Sequence, residues 1–147
     1  MDTPLDALID KLENLPDALY NFGIDELKET DLIDLLIAFN QKQMEAGLRP
    51  DGSPISPDYT AVTVEIKQSK GQIYDRVTLH DKGDFYSSER AMITGDSIVL
   101  IDNDWKTEQL LSKYGEVLGV SEENLQSFIS LIKPDFISFA RKYFGID

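Results

Sequence analysis

The chain holds one histidine, His80, and its neighbours are of the types that hydrolysis uses: Asp81 beside it, and Ser87 and Ser88 a few positions on. A nucleophile, a base and an acid that orients the base must converge on one point. Adjacent residues of a strand face opposite ways, which separates His80 from Asp81, and no Gly-x-Ser-x-Gly elbow is present. The favoured reading is a half-exposed histidine at a strand end. Asp102-Asn103-Asp104 begins as a calcium loop begins, but Thr107 stands at the position that needs glycine and Lys113 at the one that needs glutamate. A helix-capping turn accounts for it better. With no cysteine, thiolate metal sites, disulfides and a cysteine nucleophile are excluded. Gly83 and Gly95 fit no phosphate-binding pattern. Trp105, Tyr114 and Phe128 are of pocket-lining type, although aromatics at helical spacing more often fill a core. The residues therefore predict no enzyme, no metal and no cofactor.

Charge narrows the partners. The formal net charge is -13, distributed as -8 over residues 1–40, -1 over 41–90 and -4 over 91–147. Such a chain lacks the clustered Lys and Arg that neutralise phosphates, so no sequence-specific nucleic-acid binding is expected. The acidic third reads as a solubilising face, a lining that repels DNA, or a dock for a basic partner. Lys67, Lys70, Arg76, Lys82 and Arg90 gather around His80 in sequence. They read as a solvated face or as assembly contacts that meet the acidic third of a neighbouring copy. No basic-then-apolar leader opens the chain, and no apolar run nears the roughly 20 residues that span a bilayer, so a soluble cytosolic protein without membrane contact is expected.

The length suits one domain, 1–147, with an acidic helical region over 1–47 and an α+β body over 48–147. Thr3 caps a first helix with Pro4 at N1, Leu5, Leu8, Ile9 and Leu12 make its apolar stripe, and Pro16 ends or kinks it before another turn over Asp17–Phe22. Thr30 is a cap for the strongest helix, from Asp31 to the stop at Gly47. Residues 47–57, with three prolines and Asp51-Gly52, form a loop. Residues 58–70 have both strand and helix character. A helix is predicted because Ser56-Pro57 starts one and Lys70-Gly71 stops one. Val77–Leu79 reads as a strand, Gly83–Ser88 as a turn or short helix, and Ala91–Thr94 with Ser97–Ile101 as a hairpin turning at Gly95-Asp96. Helices follow over Trp105–Lys113, from the Ser121 cap to Ile132, and from Pro134 at N1 to Phe144. The fold class is α+β, a small antiparallel sheet of three to four strands flanked by helices.

The segment Leu79-x-x-Lys82-Gly83-x-Phe85-x-x-Ser88 resembles the Leu-x-x-Thr-Gly-x-Leu-x-x-Ser signature of phage tail-completion and virion-morphogenesis (neck) proteins. The amphipathic helix Asp31–Gly47, the loop Leu48–Pro57, Lys70-Gly71 and the hairpin Ala91–Ile101 stand in the family's order around it. Trp105–Glu108, Tyr114-Gly115 and the capped helix from Ser121 are similar to small phage proteins of Bacteroidetes-type hosts. Lys82 stands at the signature's threonine, and Glu89 where an apolar residue usually follows the serine. The resemblance spans about 100 residues and leaves out the acidic N-terminal helices. It implies a non-enzymatic virion structural protein at the neck or tail end, a head–tail connector or tail-completion protein. Such a protein is usually a ring and contacts other virion proteins, in the virion and in the host cytoplasm during assembly. An acidic binding protein, a DNA mimic or an inhibitor of a basic host factor, is the alternative. Gly83 is expected to supply the turn, Phe85 its core anchor, and Leu79 and Ser88 its ends.

Overall fold

The computed structural model describes residues 3–29, 31–95 and 97–146. The element order is α1 (Pro4–Glu29), α2 (Leu32–Glu45), α3 (Ala61–Ser69), α4 (Asp84–Ser88), β1 (Glu89–Thr94), β2 (Ser97–Asp102), α5 (Thr107–Tyr114) and α6 (Glu122–Phe144). The chain divides into two compact units, Met1–Ile33 with Gln126–Asp147, and Asp34–Leu125. The division at residue 47 read from the sequence therefore falls inside the second unit, which holds nearly all of α2.

In the first unit α1 starts as expected. Thr3 and Asp6 exchange bonds, the Thr3 N–H donating to Asp6 Oδ2 at 2.8 Å and the Asp6 N–H to Thr3 Oγ1 at 3.2 Å. That reciprocal cap satisfies donors the first turn leaves free. The hydroxyl bond from Thr3 also holds the Asp6 carboxyl below its usual range. Pro16 was expected to end or kink this helix, and Pro134 to begin the last one. Instead, both lie inside continuous helices. Each proline deprives the carbonyl four residues back of its donor. Leu12 and Pro16, and Ser130 and Pro134, are all exposed, so the helix meets each proline on a face open to solvent rather than in a core. Phe22 stacks on Phe139 with centroids 4.5 Å apart and meets Phe136 edge-on at 5.1 Å.

In the second unit Met44, Ile55, Val77, Leu79, Phe85, Tyr114 and Val117 form the core. α2 buries Leu36, Asn40, Gln43 and Met44 along one face and ends in a Schellman turn, with Leu48 N–H to Gln43 O at 2.9 Å and Gly47 N–H to Met44 O at 2.9 Å. Residues 58–70 contain the predicted helix, but Thr60 caps it, accepting from the Thr63 N–H; Ser56 and Pro57 lie upstream in the loop. Ser121 caps α6, accepting from Asn124 N–H at 3.2 Å. Thr30 and Asp96, assigned to a cap and to the hairpin turn, lie outside the described residues.

The sheet is smaller than predicted. Among the described residues it has two strands, β1 and β2, antiparallel and in register from Glu89↔Asp102 to Thr94↔Ser97. Val77–Leu79 is not a strand. Side chains take its backbone groups: Tyr59 Oη accepts from Thr78 N–H at 3.0 Å and from Leu79 N–H at 3.3 Å, and Tyr86 Oη donates to Thr78 O at 2.6 Å. With those groups satisfied, the segment needs no ladder partner.

Candidate functional site

The segment that carries the resemblance folds as a turn around the core. Leu79 takes φ +57°, a left-handed conformation that costs a residue with a Cβ on the order of 1–2 kcal/mol. Its side chain is nevertheless buried, and the Tyr59 hydroxyl fixes its N–H. Gly83, at φ +90°, then opens α4, where a larger residue would be strained. Phe85 enters the core, and Ser88 Oγ donates to Asp102 Oδ1 at 2.7 Å, tying the end of α4 to the base of the hairpin. Gly83 thus stands at the turn, Phe85 in the core and Ser88 at the end of α4, and Leu79 holds its place in a left-handed backbone conformation.

His80 stacks edge-on against Tyr86, with centroids 5.0 Å apart. Burial, followed by the nearby Glu45 charge, pushes the Tyr86 phenol far above its usual range. Among the described residues no hydrogen bond joins His80 to Ser87 or Ser88. The Ser87 hydroxyl serves Asp84 O at 3.1 Å, and that of Ser88 serves Asp84 O at 2.9 Å as well as Asp102.

The five cations do not form one open patch. Lys67 is only 7% exposed, its Nζ donating to His80 O at 2.7 Å and lying 4.9 Å from the Tyr59 ring centroid. It braces the turn from within, so the assembly contact expected of it is corrected. Lys70 pairs with Asp81 at 2.9 Å, and that bond holds the Asp81 carboxyl below its usual range. Arg76 bonds Glu45 O at 2.8 Å, closing the end of α2, and pairs with Asp75. Arg90 donates to Ser87 O and Glu89 O. Lys82 is exposed and lines a small cavity.

Two polar constructions were not legible beforehand. Arg49 clamps the 47–57 loop: its guanidinium reaches Pro54 O at 2.9 Å, Ser56 O at 3.0 Å and Tyr114 O at 2.8 and 3.0 Å. Asn40 Nδ2 donates to Val117 O and Gln43 Nε2 to Gly119 O, while Gln43 Oε1 accepts from Ser121 N–H and Asn124 Nδ2. Both give the irregular segments partners that no spacing rule announces.

At the base of the hairpin Glu89 faces Asp102 across the ladder. Glu89 is 2% exposed, and neither of its carboxyl oxygens has a donor; Asp102 Oδ2 is likewise buried and without one. Burial above all raises the Glu89 carboxyl, to about 7, and the Asp102 charge adds to it. The Asp102–Asp104 turn was expected to cap a helix from Trp105, but α5 starts at Thr107 with Lys106 at its N-cap and no side-chain cap; the turn bonds within itself instead, Asp102 Oδ1 accepting from Asp104 N–H and Thr107 Oγ1, and Asp104 Oδ1 from Lys106 N–H. Among the described residues no three His, Cys, Asp or Glu side chains converge as metal ligands.

Trp105 is 76% exposed, Tyr114 belongs to the core of the second unit, and Phe128 is a buried residue of the first. A cavity of about 180 Å³ lies between Tyr59, Lys67, His80, Lys82, Leu110 and Tyr114. A second cleft, about 390 Å³, is lined by Glu45, Gln72, Thr78, His80 and Tyr86. The contacts around the 79–88 turn hold shape; none of them pairs a nucleophile with a base. No helix among the described residues is long and apolar enough to cross a membrane. Comparison with protein-family models, curated proteins and solved structures finds no match for this chain.

Proposed function

We propose that this protein is a structural component of a phage virion, at the neck or tail end, and that it works by protein–protein contacts. The observation that carries the reading is the 79–88 turn. The four positions of the resemblance, Leu79, Gly83, Phe85 and Ser88, each do structural work there, as a signature of non-catalytic assembly proteins requires. Support also comes from α1, whose Leu5, Leu8, Ile9 and Leu12 stay exposed and await a partner. The proposed setting is the host cytoplasm during assembly and then the particle, among other virion proteins and further copies of this chain.

The test is solution mass by light scattering, alone and with purified head and tail components of the phage that encodes the chain, followed by mass spectrometry of its particles. A ring, formed alone or on a virion partner, and a fixed copy number per particle are expected. Absence from purified particles refutes the reading. The second reading, an acidic protein that engages a basic host factor, is favoured by the acidic N-terminal third. It predicts a soluble one-to-one complex with that factor and none with particles.

A further inference from the structure

The first turns of α1 carry two parallel exposed rows, in which Asp6 accepts from Thr3 in the cap and Asp10 from Asn14. Leu5, Leu8, Ile9 and Leu12 recur at helical spacing and are 63%, 46%, 44% and 53% exposed. Asp6, Asp10, Glu13 and Asp17 follow at intervals of four, three and four residues, all exposed, and lie along one flank of that stripe. At about 1.5 Å of rise per residue, the acidic row runs roughly 16 Å, three turns of helix. Over this stretch Lys11 is the one cation.

We propose that this face of α1 is a docking surface for a basic amphipathic helix, one with a Leu/Ile stripe flanked by Lys or Arg. The inference rests on the reading above that the chain works through protein contacts, and it names the chemistry of one such partner. Charge decides between occupants. An apolar stripe alone accepts any apolar helix, whereas four carboxylates along one flank favour a partner that brings cations to that side. A second copy of α1 is the poorer fit: paired antiparallel, it lays acidic row against acidic row, on chains of net charge -13.

The experiment titrates the full-length protein into a fluorescently labelled synthetic helix of about 18 residues, a leucine stripe flanked by lysines. One control has glutamate for each lysine, and another keeps the lysines but scrambles the stripe. Anisotropy should report micromolar binding of the cationic amphipathic helix. Binding should be at least about tenfold weaker for each control and should weaken with salt. The double variant L8S/L12S and the charge reversal D10K/E13K should each lose about tenfold or more, with circular dichroism unchanged because all four positions are exposed. Equal binding of cationic and anionic helices, or wild-type binding by both variants, overturns the proposal. So does self-association that L8S/L12S abolishes, which would assign the face to a second copy. Incorporation into particles is measured separately, so a chain can fail this test and still prove to be a virion component.

Discussion

Replacing Glu89 by glutamine should make the protein more stable, increasingly so as pH rises from about 4.5 to about 7. In the folded chain Glu89 is 2% exposed, opposite Asp102, and these two residues hold three buried carboxyl oxygens without donors. A neutral Glu89 supplies one O–H there; an ionised one supplies none and adds a second charge. Its carboxyl therefore rises from 4.5 to about 7 on folding. The sign follows from proton counting. Between these values the folded state binds more protons than the unfolded one, so this contribution to stability is largest at low pH and is lost as pH rises through 7. At about 1.36 kcal/mol per pH unit, the loss between pH 5 and pH 8 is on the order of 2–3 kcal/mol. The substituted glutamine keeps the shape, offers Asp102 an amide donor and does not titrate. Urea unfolding followed by circular dichroism at pH 5, 6, 7 and 8 should give an E89Q-minus-wild-type difference that grows by about that amount. In thermal unfolding the same variant should gain several degrees at pH 8 and little at pH 5. A difference that stays flat within about 0.5 kcal/mol over this range would show that Glu89 stays ionised in the fold, and the account of the hairpin base would be wrong.

Three further substitutions test the remaining contacts. Arg49→Lys keeps the charge but cannot span Pro54, Ser56 and Tyr114 together, and should cost about 2–4 kcal/mol in urea unfolding and speed proteolysis between residues 48 and 57. Tyr59→Phe removes the oxygen that accepts from Thr78 and Leu79, and should cost about 1–3 kcal/mol by the same measurement; wild-type stability would mean the turn does not depend on that hydroxyl. Gly23→Ala would ordinarily strengthen a helix by about 1 kcal/mol. Here the new Cβ would lie 2.9 Å from Phe136 Cζ, so melting should show a net loss of about 1–2 kcal/mol, and a gain would mean that the aromatic contact yields freely.

Local signals fixed much of this protein. Helical spacing placed α2 and α3, and the capping residues Thr3 and Ser121 placed the starts of α1 and α6, because backbone donors at a helix start must be met by the nearest side chains. Gly47 stopped α2, and Gly95-Asp96 marked the hairpin, for equally local reasons. The 79–88 turn was visible through Gly83, whose φ requires glycine, and Phe85, whose place is the core. Local rules failed where a distant side chain met a backbone need. Val77–Leu79 has a strand's composition, yet Tyr59 and Tyr86 take its hydrogen bonds, and the sheet stops at two strands. Pro16 and Pro134 looked like breaks, but both lie inside continuous helices on exposed faces, where a lost backbone bond is not buried. Lys67 read as surface charge until the fold turned its ammonium onto His80 O. Glu89 stood in the sequence as a charge at an apolar position. Only the fold buries it and sets it across the ladder from Asp102, because burial and the distance between charges are properties of the folded chain and not of spacing.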